Sequence, residues 1–319
     1  QINVFWRADG PASGDWQQGA NPCAEHGTST HYPWWYENWA PNNARGRPDC
    51  HDGALGHRIH FDNTHQPVMT LNASWYNAHQ ILFLNATPRT INGIAGTSGI
   101  DLRRADARIE NQSTGTHTFN AEIAYHTPVV NINPLNGNLV FNSTILNNGH
   151  RTDVSGGPTG SLTISGGLTG TGGLTVVNNT TVIIANNALF SGGTSVAAGT
   201  LELRGSLPNS AVTVNNGAVL RINGNGVTVA SLTIQSGGSV VIESGQTLTV
   251  TGTLTNNAGI TGLVIRDGGS LIHNTANVSA TMQRLFSGSA HWRLVSSPVA
   301  NQTISGPWTP ASPSHGYDF

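Results

Sequence analysis

Apolar and polar residues alternate in short runs through the middle of the chain, and small polar residues separate the runs. The tripeptides Val212-Thr213-Val214, Val227-Thr228-Val229 and Leu248-Thr249-Val250 show the pattern most clearly. In a β-strand, such alternation places the apolar side chains on one face and the polar side chains on the other. Gly-Gly, Asn-Asn-Gly and Ser-Gly between the runs are typical of turns. The pattern predicts many short strands with one buried face and no helical segment.

The strands also repeat along the chain. We interpret the three tripeptides as one strand that recurs, and "GAVLRINGNGVTV" (217–229) matches "GSVVIESGQTLTV" (238–250) in the next repeat. A repeat of about 20 residues that holds three short strands is the signature of a β-solenoid. A β-sandwich also has short strands, but it does not require near-identical strands one turn apart. Asn ends several strands, as at Asn120, and asparagines stacked in successive turns could form an amide ladder.

Composition divides the chain into three zones. Residues 1–57 contain five of the eight tryptophans and both cysteines, residues 58–282 contain the alternating runs, and Trp and Pro return in residues 283–319. We therefore predict an N-terminal cap (1–57), a β-helix (58–282) and the start of a C-terminal β-rich module (283–319) that is incomplete here. Because the alternating runs predict strands and no helical segment, we predict an all-β fold.

Charge is scarce, and this narrows the function classes. Only 9% of residues are charged, the net charge is −2, and all positive charges are arginine, so the sequence predicts no nucleic-acid partner. No apolar run approaches the roughly 20 residues of a membrane span, so it predicts no membrane insertion. Cys23 and Cys50 form a pair with no cysteine left over. In an oxidising compartment they would form a disulfide that stabilises by about 3 kcal/mol; a zinc site completed by nearby histidines is the alternative. We predict a secreted or cell-surface protein.

The aromatic cluster Trp34, Trp35, Tyr36 and Trp39 lies just before the first predicted turn of the β-helix. An open solenoid end exposes strand edges and an apolar core, and must be covered. A disulfide-closed aromatic segment suits that cap. The same side chains could also contact a glycan or a protein partner, and this alternative stays open.

Part of the sequence resembles a known repeat family. "FSGGTSVAAGTLELRGSLPNSAVTVNNGAVLRING" (190–224) is similar to the autotransporter-associated β-strand repeats of bacterial right-handed β-helices. "PDCHDGALGHRIHFDN" (48–63) and "RLFSGSAHWRLVSSPVANQTISGPWTP" (284–310) resemble parts of large surface proteins that Bacteroidota export by the type IX route. The resemblance implies a right-handed parallel β-helix, export through that machinery and surface display. It supplies no catalytic residues.

Candidate chemistry is sparse. On a strand, His60 and Asp62 would point outward while Ile59 and Phe61 face the core, and a His/Asp metal site is one option there. Asp49, Asp52 and Asp62 are weak candidates for a structural Ca²⁺; otherwise we predict no metal, no cofactor and no catalytic residue.

Two further groups of charges bear on catalysis. In "DLRRADARIE" (101–110), a single strand would place Arg104, Asp106, Arg108 and Glu110 on one face as an exposed ion ladder; an acidic-sugar site is the alternative. Between residues 155 and 282 the acids are Glu202, Glu243 and Asp267, which we interpret as scattered. Glycoside hydrolysis needs two neighbouring carboxyl groups, so we do not expect that reaction in residues 155–282.

These observations lead to one expected function and one alternative. We expect a non-enzymatic structural or adhesive protein of the cell surface that self-associates, with filaments as one outcome, or that contacts other surface proteins. The alternative is a carbohydrate-active β-helix that binds a glycan or acts as a polysaccharide lyase or hydrolase. Acids clustered with arginine in the early turns would favour the alternative.

Overall fold

A computed structural model describes residues 3–6, 15–16, 39–40, 57–61, 67–71 and 75–284 of the chain, with side chains from Ile59 onward. The described residues form a parallel β-solenoid, and residues 75–284 make about nine turns of it. The helical content of this part is one short 3₁₀ segment, Gly259–Gly262. The all-β parallel solenoid predicted from the sequence is therefore confirmed.

Each turn contributes strands to three faces. The first and second faces belong to one hydrogen-bonded sheet of 18 strands, and the third face is a sheet of 12 strands. The first face contains β8 (Gly99–Leu102), β11 (Glu122–Tyr125), β14 (Ile145–Leu146), β17 (Leu168–Thr169), β26 (Thr247–Val250) and β29 (Ser270–Ile272). The second face contains β4 (His57–Phe61), β9 (Arg108–Asn111), β12 (Val129–Pro134), β15 (Arg151–Ser155), β18 (Leu174–Val177), β20 (Thr194–Val196) and β27 (Leu254–Asn256).

Three longer strands run from the first face onto the second: β6 (Trp75–Phe83), β22 (Leu207–Val214) and β24 (Val227–Ile234). The third face contains β5 (Val68–Leu71), β7 (Arg89–Asn92), β10 (Thr116–Asn120), β13 (Asn138–Phe141), β16 (Ser161–Ile164), β19 (Thr181–Ile184), β21 (Thr200–Leu203), β23 (Val219–Ile222), β25 (Ser239–Ile242), β28 (Leu263–Ile265) and β30 (Thr281–Met282).

The N-terminal segment contributes three more strands. These are β1 (Asn3–Trp6), β2 (Asp15–Trp16) and β3 (Trp39–Ala40). β1 pairs in parallel with β4 and antiparallel with β3, and β2 pairs in parallel with β5. Backbone pairing of both sheets therefore continues into the N-terminal segment.

Parallel pairing places each residue beside its equivalent one turn away, and the equivalents form columns. One inward column on the third face comprises Met69, Ile91, Phe119, Phe141, Ile164, Ile184, Leu203, Ile222, Ile242, Ile265 and Met282. All of these except Met282 are at most 4% exposed. Ile59 and Phe61 also face the core, as predicted. Each buried column supplies apolar contact along the stack, because neighbouring strands lie about 4.8 Å apart.

Stacked phenylalanine rings fill the core of the early turns. Phe61 stacks on Phe83 with ring centroids 5.0 Å apart, and Phe119 stacks on Phe141 at 4.7 Å. From β16 onward the same column is aliphatic. The change coincides with shorter turns, since the turn from Arg89 to its register partner His117 is longer than the turn from Thr181 to Thr200.

The repeat interval differs from the predicted one in an instructive way. Val212 pairs with Leu232 on the second face, whereas Val227 pairs with Leu248 on the first face. The step from Val212 to Val227 is therefore a step between faces within the solenoid, and our interpretation of these two tripeptides as one repeated strand was wrong. The step from Val227 to Leu248 is one full turn, as interpreted, but the turn from Leu220 to Val240 on the third face is one residue shorter. Because side chains alternate, a one-residue error exchanges the buried and exposed faces.

An amide ladder forms on the third face, as hypothesised. The Asn120 side chain donates to Asn92 Oδ1 at 2.8 Å and accepts from Asn142 Nδ2 at 3.0 Å. The three asparagines lie at equivalent positions, since Asn92 and Asn120 end β7 and β10 and Asn142 directly follows β13. The position continues through Ser165 and Ala185, where no amide is present. The ladder thus covers the early turns.

We predict that Asn120→Ala lowers the free energy of unfolding by about 1–3 kcal/mol, because it removes two side-chain hydrogen bonds worth roughly 0.5–1.5 kcal/mol each. Urea unfolding followed by circular dichroism measures the change. Thr118→Ala is the matched control, since Thr118 is on the same strand and face and the described residues give its side chain no hydrogen bond. Equal losses in the two variants would contradict a stabilising ladder.

Candidate functional site

Most of the predicted N-terminal site residues lie outside the described part of the chain. This applies to Cys23, Cys50, Trp34, Trp35 and Tyr36, whereas Trp39 is described only as a backbone position in β3. The disulfide, the aromatic cap and its glycan contact remain predictions.

Most of the candidate metal ligands also lie outside the described residues. Asp49, Asp52 and Asp62 lie outside the described residues, and His60 is half-buried in β4. Among the residues described, no group of three or more His, Cys, Asp or Glu side chains comes close enough to hold a metal ion. The same residues contain no helix with the length and apolar character needed to cross a membrane.

The charged run 101–110 is not one strand. β8 ends at Leu102 and β9 begins at Arg108, and the residues between form a corner at which Arg104 has φ +89°. The prediction that Arg104 to Glu110 share a single strand face was therefore wrong. The ion pairs themselves form: Arg104 lies 3.6 Å from Asp106, and Arg108 lies 3.6 Å from Glu110.

A simple rule connects most ion pairs of the solenoid: arginine and carboxylate are two residues apart in the chain. The pairs are Arg103–Asp101 (3.2 Å), Arg104–Asp106 (3.6 Å), Arg108–Glu110 (3.6 Å), Arg151–Asp153 (2.6 Å) and Arg204–Glu202 (2.7 Å). Residues two apart on a strand share a face, which accounts for Arg108–Glu110 and Arg151–Asp153, whereas Arg104–Asp106 forms at the corner between β8 and β9. Arg151 forms two hydrogen bonds to Asp153, and these raise the pKa of its guanidinium.

The late acids Glu202 and Glu243 belong to a network with arginines that the sequence did not predict. Glu202 and Glu243 both project from the third face, where Glu243 lies 3.5 Å from Arg221 and 2.6 Å from Arg266. Burial would raise the pKa of Glu202, but hydrogen bonds from Asn223 and Arg204, together with the charges of Arg204 and Arg221, outweigh it, and the pKa lies below its usual value. Sequence distance concealed this network, since both arginine partners of Glu243 lie in neighbouring turns.

A buried polar cluster interrupts the core of the early turns. Arg89 and His117 occupy the inward column of the third face that Leu139, Leu162 and Val182 continue, and both are at most 3% exposed. The His117 ring stacks on Phe83 with centroids 4.0 Å apart, and its Nε2 lies 3.0 Å from Ser113 Oγ. Burial, and next the charge of Arg89, lower the pKa of His117 to about 4.

Buried hydroxyl and amide groups complete the interior polar contacts. The Tyr125 hydroxyl lies 3.4 Å from Thr152 Oγ1, and burial raises the pKa of this phenol. Asn147 is fully buried at a corner, where its side chain bonds both the N–H and the C=O of Gly172 one turn on. These contacts tie adjacent turns together, because each joins residues in successive turns.

The first face carries an aromatic patch that the sequence analysis missed. Trp75, Gly99 and Glu122 are register neighbours on β6, β8 and β11. A Cβ atom on Gly99 would lie 2.5 Å from Cζ3 of Trp75, so the indole ring lies directly over this glycine. Glu122 accepts a hydrogen bond from the backbone N–H of Gly96 at 3.1 Å. The signal in the sequence is a glycine one turn after a tryptophan. It can be recognised only when the pairing register of the strands is known.

Asp101 lies beside this patch on β8. One carboxylate oxygen is 3.0 Å from His126 Nε2, and the other is 3.2 Å from Arg103 Nη2. We call the whole group of neighbouring residues the first-face patch. It comprises Trp75, Gly99, Asp101, Arg103, Glu122 and His126. The patch combines an aromatic ring with hydrogen-bond acceptors and donors.

Comparison with protein-family models, with curated proteins and with solved structures gave no match for this chain.

We predict that the buried His117 makes stability depend on pH. Its pKa is about 4 in the folded protein, against about 6.5 for the unfolded chain, so between these values the unfolded state binds more protons and stability falls as pH falls. The contribution is complete above pH ~6.5, and roughly 2 kcal/mol is lost by pH ~5. Urea unfolding at pH values across this window measures the slope.

His117→Leu should flatten that slope, because Leu139 occupies the same column one turn on. His150→Gln is the control, since His150 is half-buried at a corner. A slope that persists in His117→Leu, or disappears in His150→Gln, would assign the pH dependence to other groups.

Proposed function

We propose that the chain is a non-enzymatic structural or adhesive β-helix of the cell surface. The observation that carries the proposal is the pairing of charge. Six of the eight carboxylates in residues 75–284 have an arginine within 3.6 Å: Asp101, Asp106, Glu110, Asp153, Glu202 and Glu243. Exposed pairs of this kind contribute only about 0–1 kcal/mol each, so their main consequence is a surface with little net charge.

This pairing also argues against general acid–base catalysis. A catalytic acid or base needs a pKa near the working pH, which usually comes from burial without a counter-charge or from a like charge nearby. An arginine beside a carboxylate favours the ionised form instead. The paired acids are therefore better suited to keeping the surface nearly neutral than to proton transfer.

Regular columns of small polar side chains support the structural part of the proposal. On the second face, Thr175, Ser195, Thr213, Thr233 and Thr255 follow one another in register. All five are half-buried, and successive hydroxyl groups lie one strand spacing apart, about 4.8 Å. A second copy of the chain presents hydroxyl groups at the same spacing. Because the chain carries little net charge, two copies repel each other only weakly. We propose that this column is a lateral contact in self-association, with filaments as the assembled form.

Secretion and origin are part of the same proposal. We propose surface display after export by the type IX route of Bacteroidota, on the resemblance described above, and a disulfide between Cys23 and Cys50 in the oxidising exterior. We also propose right-handed winding, since connections between parallel strands of one sheet are right-handed in about 98% of cases. Purification of the protein from the outer surface of its source cells would test the localisation.

Self-association is tested by placing charge on the column. We predict that Thr213→Arg with Thr233→Arg shifts the purified chain from large assemblies to smaller species, because like charges would face each other across the contact. Sedimentation velocity and negative-stain electron microscopy measure the size. Thr228→Arg with Thr249→Arg is the matched control, since these threonines are also register neighbours but lie on the first face. Equal effects of the two double variants would argue against the second face.

Enzymatic activity is tested on the same preparations. We predict no new reducing ends and no unsaturated uronate products when the wild-type chain is incubated with neutral and acidic polysaccharides. Depolymerisation that disappears in Asp62→Asn, Asp101→Asn or Glu122→Gln would contradict the non-enzymatic function and support the carbohydrate-active alternative.

A further inference from the structure

Trp75 is the tryptophan whose side chain the structure describes, and its placement is unusual. Burial alternates over the first four residues of β6, so that Tyr76 and Ala78 are fully buried and Trp75 and Asn77 are half-buried on the outer side. The Trp75 ring extends over the next turn, where Gly99 leaves room for it. A glycine in a strand often marks a place where another group approaches closely. Here that group is the six-membered ring of the indole, whose Cζ3 and Cη2 atoms would lie 2.5 and 2.8 Å from a Cβ atom on Gly99.

The surroundings of the ring supply directional polar groups. Glu122 is the register neighbour of Gly99 on the next turn, and Asp101 is two residues beyond Gly99 on the same face. One oxygen of Glu122 accepts from Gly96, and within the described residues the other has no hydrogen-bond partner. The side chains of His126 and Arg103 are 38% and 31% exposed, and Nε of Arg103 is buried.

We propose that the first-face patch binds a neutral pyranose sugar. The indole supplies an apolar platform for the C–H face of the ring, and aromatic side chains with a polar edge suit such half-wet contacts. Glu122 and Asp101 accept hydrogen bonds from sugar hydroxyl groups, and Arg103 donates. A few placed polar groups around an apolar surface are the general form of a small-ligand site.

The charge of the patch selects the sugar class. Asp101 and Glu122 carry two negative charges against the single positive charge of Arg103, so the site disfavours a uronate or sulfated unit. An extended sugar chain fits this position better than a compact ligand, since β11 and β14 continue the first face beyond β8 in the following turns. The ligand expected at the first-face patch is therefore a neutral oligosaccharide. It is separate from self-association, which uses the second face.

The test uses the full chain and calorimetric titration with cellohexaose, mannohexaose and chitohexaose, with hexagalacturonate as the acidic comparison. We expect at least one neutral hexasaccharide to bind and the acidic one not to bind. Trp75→Ala should weaken binding about tenfold or more, a loss of one good contact, whereas Trp75→Phe keeps part of the platform and should weaken it less. Glu122→Ala should weaken binding several-fold.

Two controls separate this site from the aromatic segment of residues 34–39. Trp34→Ala with Trp35→Ala should leave the affinity unchanged, and circular dichroism should show native β-structure in every variant compared. If Trp75→Ala fails to fold, Trp75→Phe and Glu122→Ala decide the question. The proposal is overturned if no neutral hexasaccharide binds, if Trp75→Ala or Glu122→Ala binds as the wild type does, or if affinity is lost in the Trp34/Trp35 variant instead. None of these results would affect the self-association test.

Discussion

Parallel stacking is the constraint on which this structure depends. Each residue of a turn lies about 4.8 Å from its equivalents in the turns before and after it, so a side chain is surrounded mainly by residues of its own column. An inward column must be apolar throughout or must satisfy its polar groups within the column or at a corner. The third-face column from Met69 to Ile265 meets the first condition. Asn147, which bonds Gly172 one turn on, meets the second.

The same constraint governs the outer surface. A charged side chain lies close to the equivalent side chain on the next turn. A column of like charges without counter-charges would therefore repel along its length. The chain meets this condition with arginine–carboxylate pairs two residues apart and with uncharged columns such as Asn92, Asn120 and Asn142. A surface of this kind is well suited to contact with similar surfaces, which is why we favour a structural or adhesive function.

The early turns differ from the late ones in both core and surface. They contain stacked phenylalanines, the buried Arg89 and His117, and the first-face patch around Trp75. Longer turns accommodate these bulkier and more polar groups, whereas the later turns repeat aliphatic residues and hydroxyl groups. Ligand recognition is therefore expected in the early turns, and regular lateral contact in the late ones.

Local alternation was enough to predict the solenoid, because the period of two in a strand and the repeat of about 20 residues are properties of neighbouring residues and of the chain's own self-similarity. The inward positions of Ile59 and Phe61 and the asparagine ladder followed from the same pattern. Pairs such as Arg108–Glu110 could also be anticipated, since residues two apart share a face.

Register and corners were decided only by the tertiary structure. The corner at Arg104 breaks a run of charges that reads as one strand, and turns of unequal length bring Glu243 to Arg221 and Arg266 and place Gly99 under Trp75. The physical reason is that turn length fixes which residues become neighbours, and a one-residue difference exchanges the inner and outer faces. The sequence alone determined what kind of surface each strand presents; stacking determined which of those surfaces meet.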